Sequence, residues 1–272
     1  MTIVNTQSFL GYENPPVVEV VCGILFQDLQ LLLTPHIGLL WQKFKHEYPE
    51  CEELPPLAPA IEFFDESPDI NVVFSEIPPT PRIWFIETNG NKVIQLQRDR
   101  LLHNWRKIES EDTYPRYKTV IKTFQNHLST FEEFLKENNL GIILPRQYEL
   151  TYVNHIEQGE RWNRIEDIDQ IFPNFSLKIN LDQLPELEAI NWRTSLLLPD
   201  QIGRLHLSIR NGIREEDNQN VFVFELNARG IGSDQSQKSM QEWFDLAHQY
   251  IIQSFVALTS QDMQDNVWRS IK

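Results

Sequence analysis

Tyr117, Val120, Ile121, Phe124, Leu128, Phe131 and Leu135 recur at helical spacing, and Met240, Trp243, Phe244, Ala247, Ile251, Phe255 and Leu258 do so again later in the chain. Each series is the apolar stripe of a long amphipathic helix, and such a stripe must be buried against another layer. The first helix begins at Tyr114-Pro115, runs to about Asn138 and is stopped by Asn139 to Gly141. The second covers roughly Gln237 to Leu258.

The segments before each helix supply the layer. Val17 to Phe26 (VVEVVCGILF) is a continuous apolar run with β-branched residues, which predicts a buried strand. Thr34-Pro35 opens a helix carrying Ile37, Leu40, Trp41 and Phe44 on one stripe, ended by Pro49. The acid- and proline-rich stretch 51–59 reads as a loop, with short apolar pieces at Ile61–Phe64 and Val72–Phe74. In IWFIETNGNKVIQLQ, Asn89-Gly90 lies between two apolar runs and marks a hairpin, because both residues tolerate positive φ. The order then restarts. Tyr148–Ile156 reads as a strand with Glu149 placed like Glu19, RIEDIDQIF as a short helix and FSLKI as a short strand. Trp192–Leu198, Arg204–Arg210 and Val221–Ala228 follow as strands, with Asn211-Gly212 starting the last connection.

This predicts an α+β protein of two similar units, 1–142 and 143–272, each strand, helix, four strands and long helix, at an offset of roughly 120 to 130 residues. The order matches TATA-binding-protein-like or helix-grip folds, with antiparallel sheets and helices on one face. Hydrophobic residues at 41% and aromatics at 11% suffice to bury two such cores.

If the helices cover one face, period-two alternation locates the other. Leu205, Leu207 and Ile209 oppose Arg204, His206, Ser208 and Arg210, while Phe222, Phe224 and Leu226 oppose Val223, Glu225, Asn227 and Arg229. Glu149, Thr151 and His155 share one side of their strand. The expected polar face thus holds His155, His206, Arg210, Glu225 and Arg229, either laddered into pairs that keep the sheet soluble or offered to a partner. Trp84 and Phe85 point to opposite faces, so one of them is expected to leave an apolar patch on the open side.

A second candidate is RDRLLHNWRK, residues 98–107. Arg98, Arg100 and Arg106, with Arg116 in the next helix, could converge on an anion, flanked by Asn104 and Tyr114, because guanidinium forks bind phosphate or carboxylate bidentately. The competing reading pairs Arg98 and Arg106 with Glu109, Glu111 or Asp112 while Trp105 seals the helix to the sheet. Asn191-Trp192-Arg193 echoes Asn104-Trp105-Arg106 weakly.

Other constellations carry little. In RGIGSDQ, Gly230 and Gly232 lack the third glycine of a dinucleotide fingerprint, and the Ser/Asp cluster suits helix capping. Asp200 with Glu225-Leu226-Asn227 resembles a metal-dependent nuclease core, but Asn227 replaces the expected lysine. Ser195 lacks a nucleophile-elbow context, and Cys22 and Cys51 have no metal-ligand spacing and read as free thiols of a reducing cytosol. The reading therefore expects no catalytic set, no metal and no cofactor. A net charge of -15 repels phosphate backbones, which disfavours general nucleic-acid binding. No apolar run reaches the roughly 18 to 20 residues of a membrane span, and the N-terminus lacks the pattern of a secretory signal, so a cytoplasmic location is expected.

PPVVEVVCGILF, QLQRDRLLHNWRK followed by YPRY, ELTYVNHI, LNARG, WFDLAH and LTSQDM together resemble an uncharacterised, sporadically distributed family of bacterial and archaeal proteins. Residues matching its motifs are Arg98, Asp99, Asn104, Trp105, Arg106, Tyr114, Pro115, Arg116, Tyr117, Tyr152, Asn154 and His155. The resemblance implies no residue roles. Patchy distribution implies an accessory gene, such as those of defence or toxin–antitoxin loci.

The function expected is that of a non-enzymatic cytoplasmic interaction or regulatory protein binding a protein partner through exposed sheet faces. The overall acidity suits a basic partner. The alternatives are a small-ligand or nucleotide sensor using the Arg98–Arg116 cluster, and a metal-dependent hydrolase or nuclease with an unrecognised site.

Overall fold

The computed structural model describes residues 11–58, 60–62, 81–175 and 187–271. The elements run in the order β1 (Gly11–Tyr12), β2 (Val17–Phe26), α1 (Thr34–Phe44), β3 (Glu50–Leu54), β4 (Arg82–Ile86), β5 (Lys92–Gln97), β6 (Arg100–Arg106), α2 (Tyr117–Glu137), β7 (Pro145–Glu157), a short α3 (Ile168–Ile171), β8 (Asn191–Leu197), β9 (Gly203–Arg214), β10 (Gln219–Gly230), α4 (Gln237–Leu258) and β11 (Ser270–Ile271). Mixed helices and antiparallel strands make this an α+β protein.

Among the described residues the main sheet has nine strands in the order β3-β4-β5-β6-β2-β7-β10-β9-β8, every neighbouring pair antiparallel. The seam is the β2–β7 ladder, where Val21 faces Thr151. The connection after α2, where the sequence places its boundary at 142/143, leads straight into this shared ladder. Outside the sheet, β1 pairs with β11, joining the described ends of the chain.

Alternation assigns the two faces. Val20, Cys22, Ile24 and Phe26 of β2, Leu101 and Trp105 of β6, Tyr148, Leu150, Tyr152 and Ile156 of β7, and Phe222, Phe224 and Leu226 of β10 join one core with Phe124, Phe131, Trp243 and Phe244 of the helices. Helix α2 lies over β2 and β6, and α4 over β7, β10 and β9. At about 25 cal/mol per Å², burial of aromatic and aliphatic side chains on this scale dominates the folding free energy. Ser236 caps α4, its side chain accepting from Ser239 N at 3.1 Å, and Asp234 accepts from Ser236 N at 2.7 Å; the Ser/Asp cluster is a helix cap.

Several expectations shift. Strand β3 stands where the loop 51–59 is expected: an edge strand needs one ladder and no buried side chain, so exposed Glu50, Glu52 and Glu53 conceal it. Asn89-Gly90 forms the expected turn, with Gly90 at φ 75 and its N–H donating to Glu87 O at 2.7 Å. Asn211-Gly212 does not turn the chain. The β9 ladder runs on to Arg214, because the Asn211 carboxamide accepts from Ile190 N at 2.7 Å and pins the edge, and the chain reverses near Asn218 at φ 56. Helix α2 starts at Tyr117 rather than at Tyr114, preceded by Arg116 at φ 71. Among the described residues the second stretch shows three strands between α3 and α4. The expected strand FSLKI lies outside the described residues beyond Phe175, as do Val72–Phe74 and the last two residues of Ile61–Phe64.

Candidate interaction surface

The arginines around RDRLLHNWRK do not converge. Arg98, in the β5–β6 turn, donates from Nε to Leu32 O at 3.0 Å. Arg100 is only 4% exposed and makes a forked pair with Asp99, both contacts at 3.0 Å. Arg106 donates to Gly90 O at 2.7 Å, and Arg116 donates to Tyr12 O at 2.8 Å. Neither Arg98 nor Arg106 takes up the expected acids; Asp112 instead accepts from the backbone of Ile108 and Glu109. Trp105 is buried in the core against the Tyr114 ring, sealing α2 to the sheet. The Tyr114 and Tyr152 hydroxyls lie 2.7 Å apart, and Tyr117 donates to Asp245 of α4 at 2.8 Å, so the YPRY block ties the two stretches together.

The second face of the sheet carries the expected polar set. His155 and Arg210 flank Val223, Glu225 lies between Val153 and Ser208, and Arg229 lies between Glu149 and Arg204. Much of this face is nevertheless buried, including Gln95, Gln97, Arg100, Asn104, Gln147, Thr151 and Asn227, so it is not left wholly to water as alternation alone suggests. Trp84, on this face, is in contact with the guanidiniums of Arg82 and Arg106, whose central carbons lie 5.3 and 5.5 Å from its ring. It forms no bare apolar patch; Phe85 points into the core.

One arrangement appears twice. Glu19 faces Arg106 across β2–β6, and Asn104 donates to Glu19 Oε1 at 2.6 Å. Glu149 faces Arg229 across β7–β10, and Asn227 donates to Glu149 Oε1 at 2.9 Å. Arg229 Nε stands 3.8 Å from the same carboxylate, an ion-pair distance too long for a hydrogen bond. Burial pushes the Glu19 carboxyl above its usual range, opposed by Asn104 and Arg106 and assisted by Glu225. Alternation puts Glu149 and Asn227 on the polar face and matches Glu149 to Glu19 in strand position, but it does not show which asparagine each glutamate meets. The signal that pairs them is the Asn-x-Arg near the end of the last strand before each long helix, Asn104-Trp105-Arg106 and Asn227-Ala228-Arg229; Asn191-Trp192-Arg193 is a false echo on edge strand β8.

The connection after β3 crosses this face as a strap. Gln97 of β5 grips Leu57 by both backbone groups, accepting from its N–H at 2.9 Å and donating to its carbonyl at 3.3 Å. Gln147 of β7 accepts from Glu62 N at 2.8 Å and donates to Ala60 O at 2.9 Å. Glu62 then meets β9, Oε2 accepting from Arg204 at 2.6 Å and Oε1 lying 2.6 Å from His206 Nε2. Burial opposes ionisation of Glu62, but the hydrogen bonds from His206 and Arg204 outweigh it and lower its pKa. Ser195 Oγ lies 2.8 Å from the other His206 nitrogen.

Beyond the strap lies the β8–β9 margin. Arg193 and Arg210 are exposed there, and neither guanidinium has an ion pair or hydrogen bond among the described residues. Leu197, on the same face, is 60% exposed. Next to Arg210 a cleft of ≈ 290 Å³ is lined by His155, Gly212, Arg214, Val221 and Val223. Burial, then Arg214 and Arg210, lowers the His155 pKa, and its Nδ1 has no hydrogen-bond partner. Among the described residues no group of three His, Cys, Asp or Glu side chains is placed to hold a metal ion, and no helix is long and apolar enough to cross a membrane. Comparison with protein-family models, curated proteins and solved structures found no match for this chain.

Proposed function

We propose that this chain is a non-enzymatic cytoplasmic binding protein of an accessory locus, engaging a protein partner through the β8–β9 margin of its second sheet face. The observation that carries the reading is the pair of exposed guanidiniums of Arg193 and Arg210, without hydrogen bond or ion pair among the described residues, beside exposed Leu197, on a face whose other described arginines are held by carboxylates, a carboxamide, backbone carbonyls or an aromatic ring. Arginine with an apolar neighbour is the composition of a protein contact. His155, His206, Arg210, Glu225 and Arg229 lie in or beside it. The net charge of -15 suits a basic partner, whereas this margin locally suits an acidic one. The nearest fold analogy remains the TATA-binding-protein-like order of two similar units, taken here as an inference from topology.

Affinity capture with the tagged full chain from its native cells tests this. A stoichiometric protein partner that is lost from Arg193→Glu/Arg210→Glu supports the reading, and capture of no such partner defeats it. The nucleotide-sensor alternative needs Arg98, Arg106 and Arg116 on one anion, and their guanidiniums instead serve three separate carbonyls.

A further inference from the structure

The strap shows what the second face can recognise. Gln97 and Gln147 read main-chain amides, not side chains, so they accept any extended segment of suitable length. Between them lie Arg100 and Leu25, so the glutamines stand three inter-strand steps apart, about 14 Å. From Leu57 to Glu62 the chain has five residue steps, which reach about 17 Å when fully extended, enough to span the two grips. At the far end, the Arg204 guanidinium and a ring nitrogen of His206 supply a socket for one carboxylate. Amide-reading contacts followed by a carboxylate socket are the parts of a site for extended acidic peptides.

We infer that Gln97, Gln147, Arg204 and His206 form a recognition site for an extended peptide ending in a Glu or Asp side chain, and that the described strap residues 55–58 and 60–62 occupy it in cis until a partner's acidic segment displaces them. This deepens the partner-binding reading and rests on it. The strap's attachment is local and polar: Leu57 is exposed, Ala60 is exposed and Ile61 is only half-buried, so little apolar area resists its exchange. A tethered segment competes at an effective concentration of order millimolar, so a free peptide displaces it from the unaltered chain only in millimolar excess and at lower concentration once the strap is weakened.

The test uses the full chain and a fluorescein-labelled synthetic peptide of sequence PPLAPAIE, followed by anisotropy up to millimolar protein. Glu62→Gln keeps the shape of the strap and removes its charge, and it should bind the peptide about tenfold or more tightly than the unaltered chain, the worth of a charge-assisted hydrogen bond. Adding Arg204→Ala to that variant, or replacing the peptide's glutamate with alanine, should remove the gain. A second readout is independent of any variant's folding: in the unaltered chain, excess peptide should speed amide hydrogen exchange at Leu57 and Glu62. Equal binding by the Glu62→Gln and unaltered chains, binding indifferent to Arg204, or unchanged exchange at both amides overturns the inference. Because the peptide is synthetic, that failure is distinct from failure to capture a partner from cells.

Discussion

Glu19 and Glu149 stand on opposite sides of the Val21–Thr151 pair, each two residues before it on its own strand and each accepting a hydrogen bond from an asparagine of the adjoining strand. The two carboxylates are thus satisfied in the same way on either side of the seam. Removing one asparagine leaves a partly buried carboxylate short of a donor, which costs about 1–3 kcal/mol. Asn104→Ala and Asn227→Ala should each lower the unfolding free energy, measured by urea titration, by that amount. The asparagines lie three inter-strand steps apart, so the double variant should be additive within about 0.5 kcal/mol. Strong coupling between them would show one continuous network in place of two separate clusters.

Stability should fall on mild acidification. Burial lowers the pKa of His127 to about 4, helped by Lys92, and burial lowers that of His248 to about 4 against an opposing pull from Asp245. Between about pH 6.5 and pH 4 the unfolded chain takes up protons that these folded histidines refuse, so stability is complete above that window and is lost as pH falls through it. Each contributes on the order of 3 kcal/mol. Glu19, with a raised pKa, pulls the other way at the acid end. His127→Gln keeps a partner for the Tyr48 hydroxyl, 3.1 Å from Nε2, and should flatten the urea-midpoint profile between pH 6.5 and 4.5 by about one proton. A profile that is already flat in the unaltered chain contradicts the assignment.

Two glycines should respond to alanine with opposite signs. A Cβ on Gly230 would sit 1.9 Å from Ile202 O and 2.6 Å from Gly203 Cα, so backbone must move. Gly230→Ala is expected to cost more than about 2 kcal/mol. A Cβ on helical, exposed Gly38 meets nothing within 4 Å, and Gly38→Ala should stabilise by about 0.5–1 kcal/mol through helix propensity. Thermal melts of both variants decide it.

The thiols should separate cleanly. Cys22 is fully buried in β2 and burial pushes its pKa far up, while Cys51 is exposed on β3. A disulfide-exchange reagent should titrate one thiol in the native chain and the second only in denaturant. Rapid native reaction of both would place Cys22 outside the core.

What the chain discloses depends on periodicity. Apolar runs and helical stripes locate β2, α1, α2, β7, β9, β10 and α4, and alternation puts His155, His206, Arg210, Glu225 and Arg229 on one face, because burial on one side imposes those periods. Strand β3 escapes because an acidic edge has no buried side to betray it. The register that faces Glu19 with Arg106 and Glu149 with Arg229 is a property of paired strands, invisible along one. Least legible is the strap: Glu62 and Arg204 meet across 142 positions of sequence, through a Pro-rich stretch whose docking leaves no period at all.

The hydrogen-bonded seam between β2 and β7 also governs mechanics. The two stretches cannot swing about a joint, since separating them means tearing a ladder in the middle of the sheet. A load or a ligand at the β8 rim therefore reaches the β3 rim as torsion of a single plate.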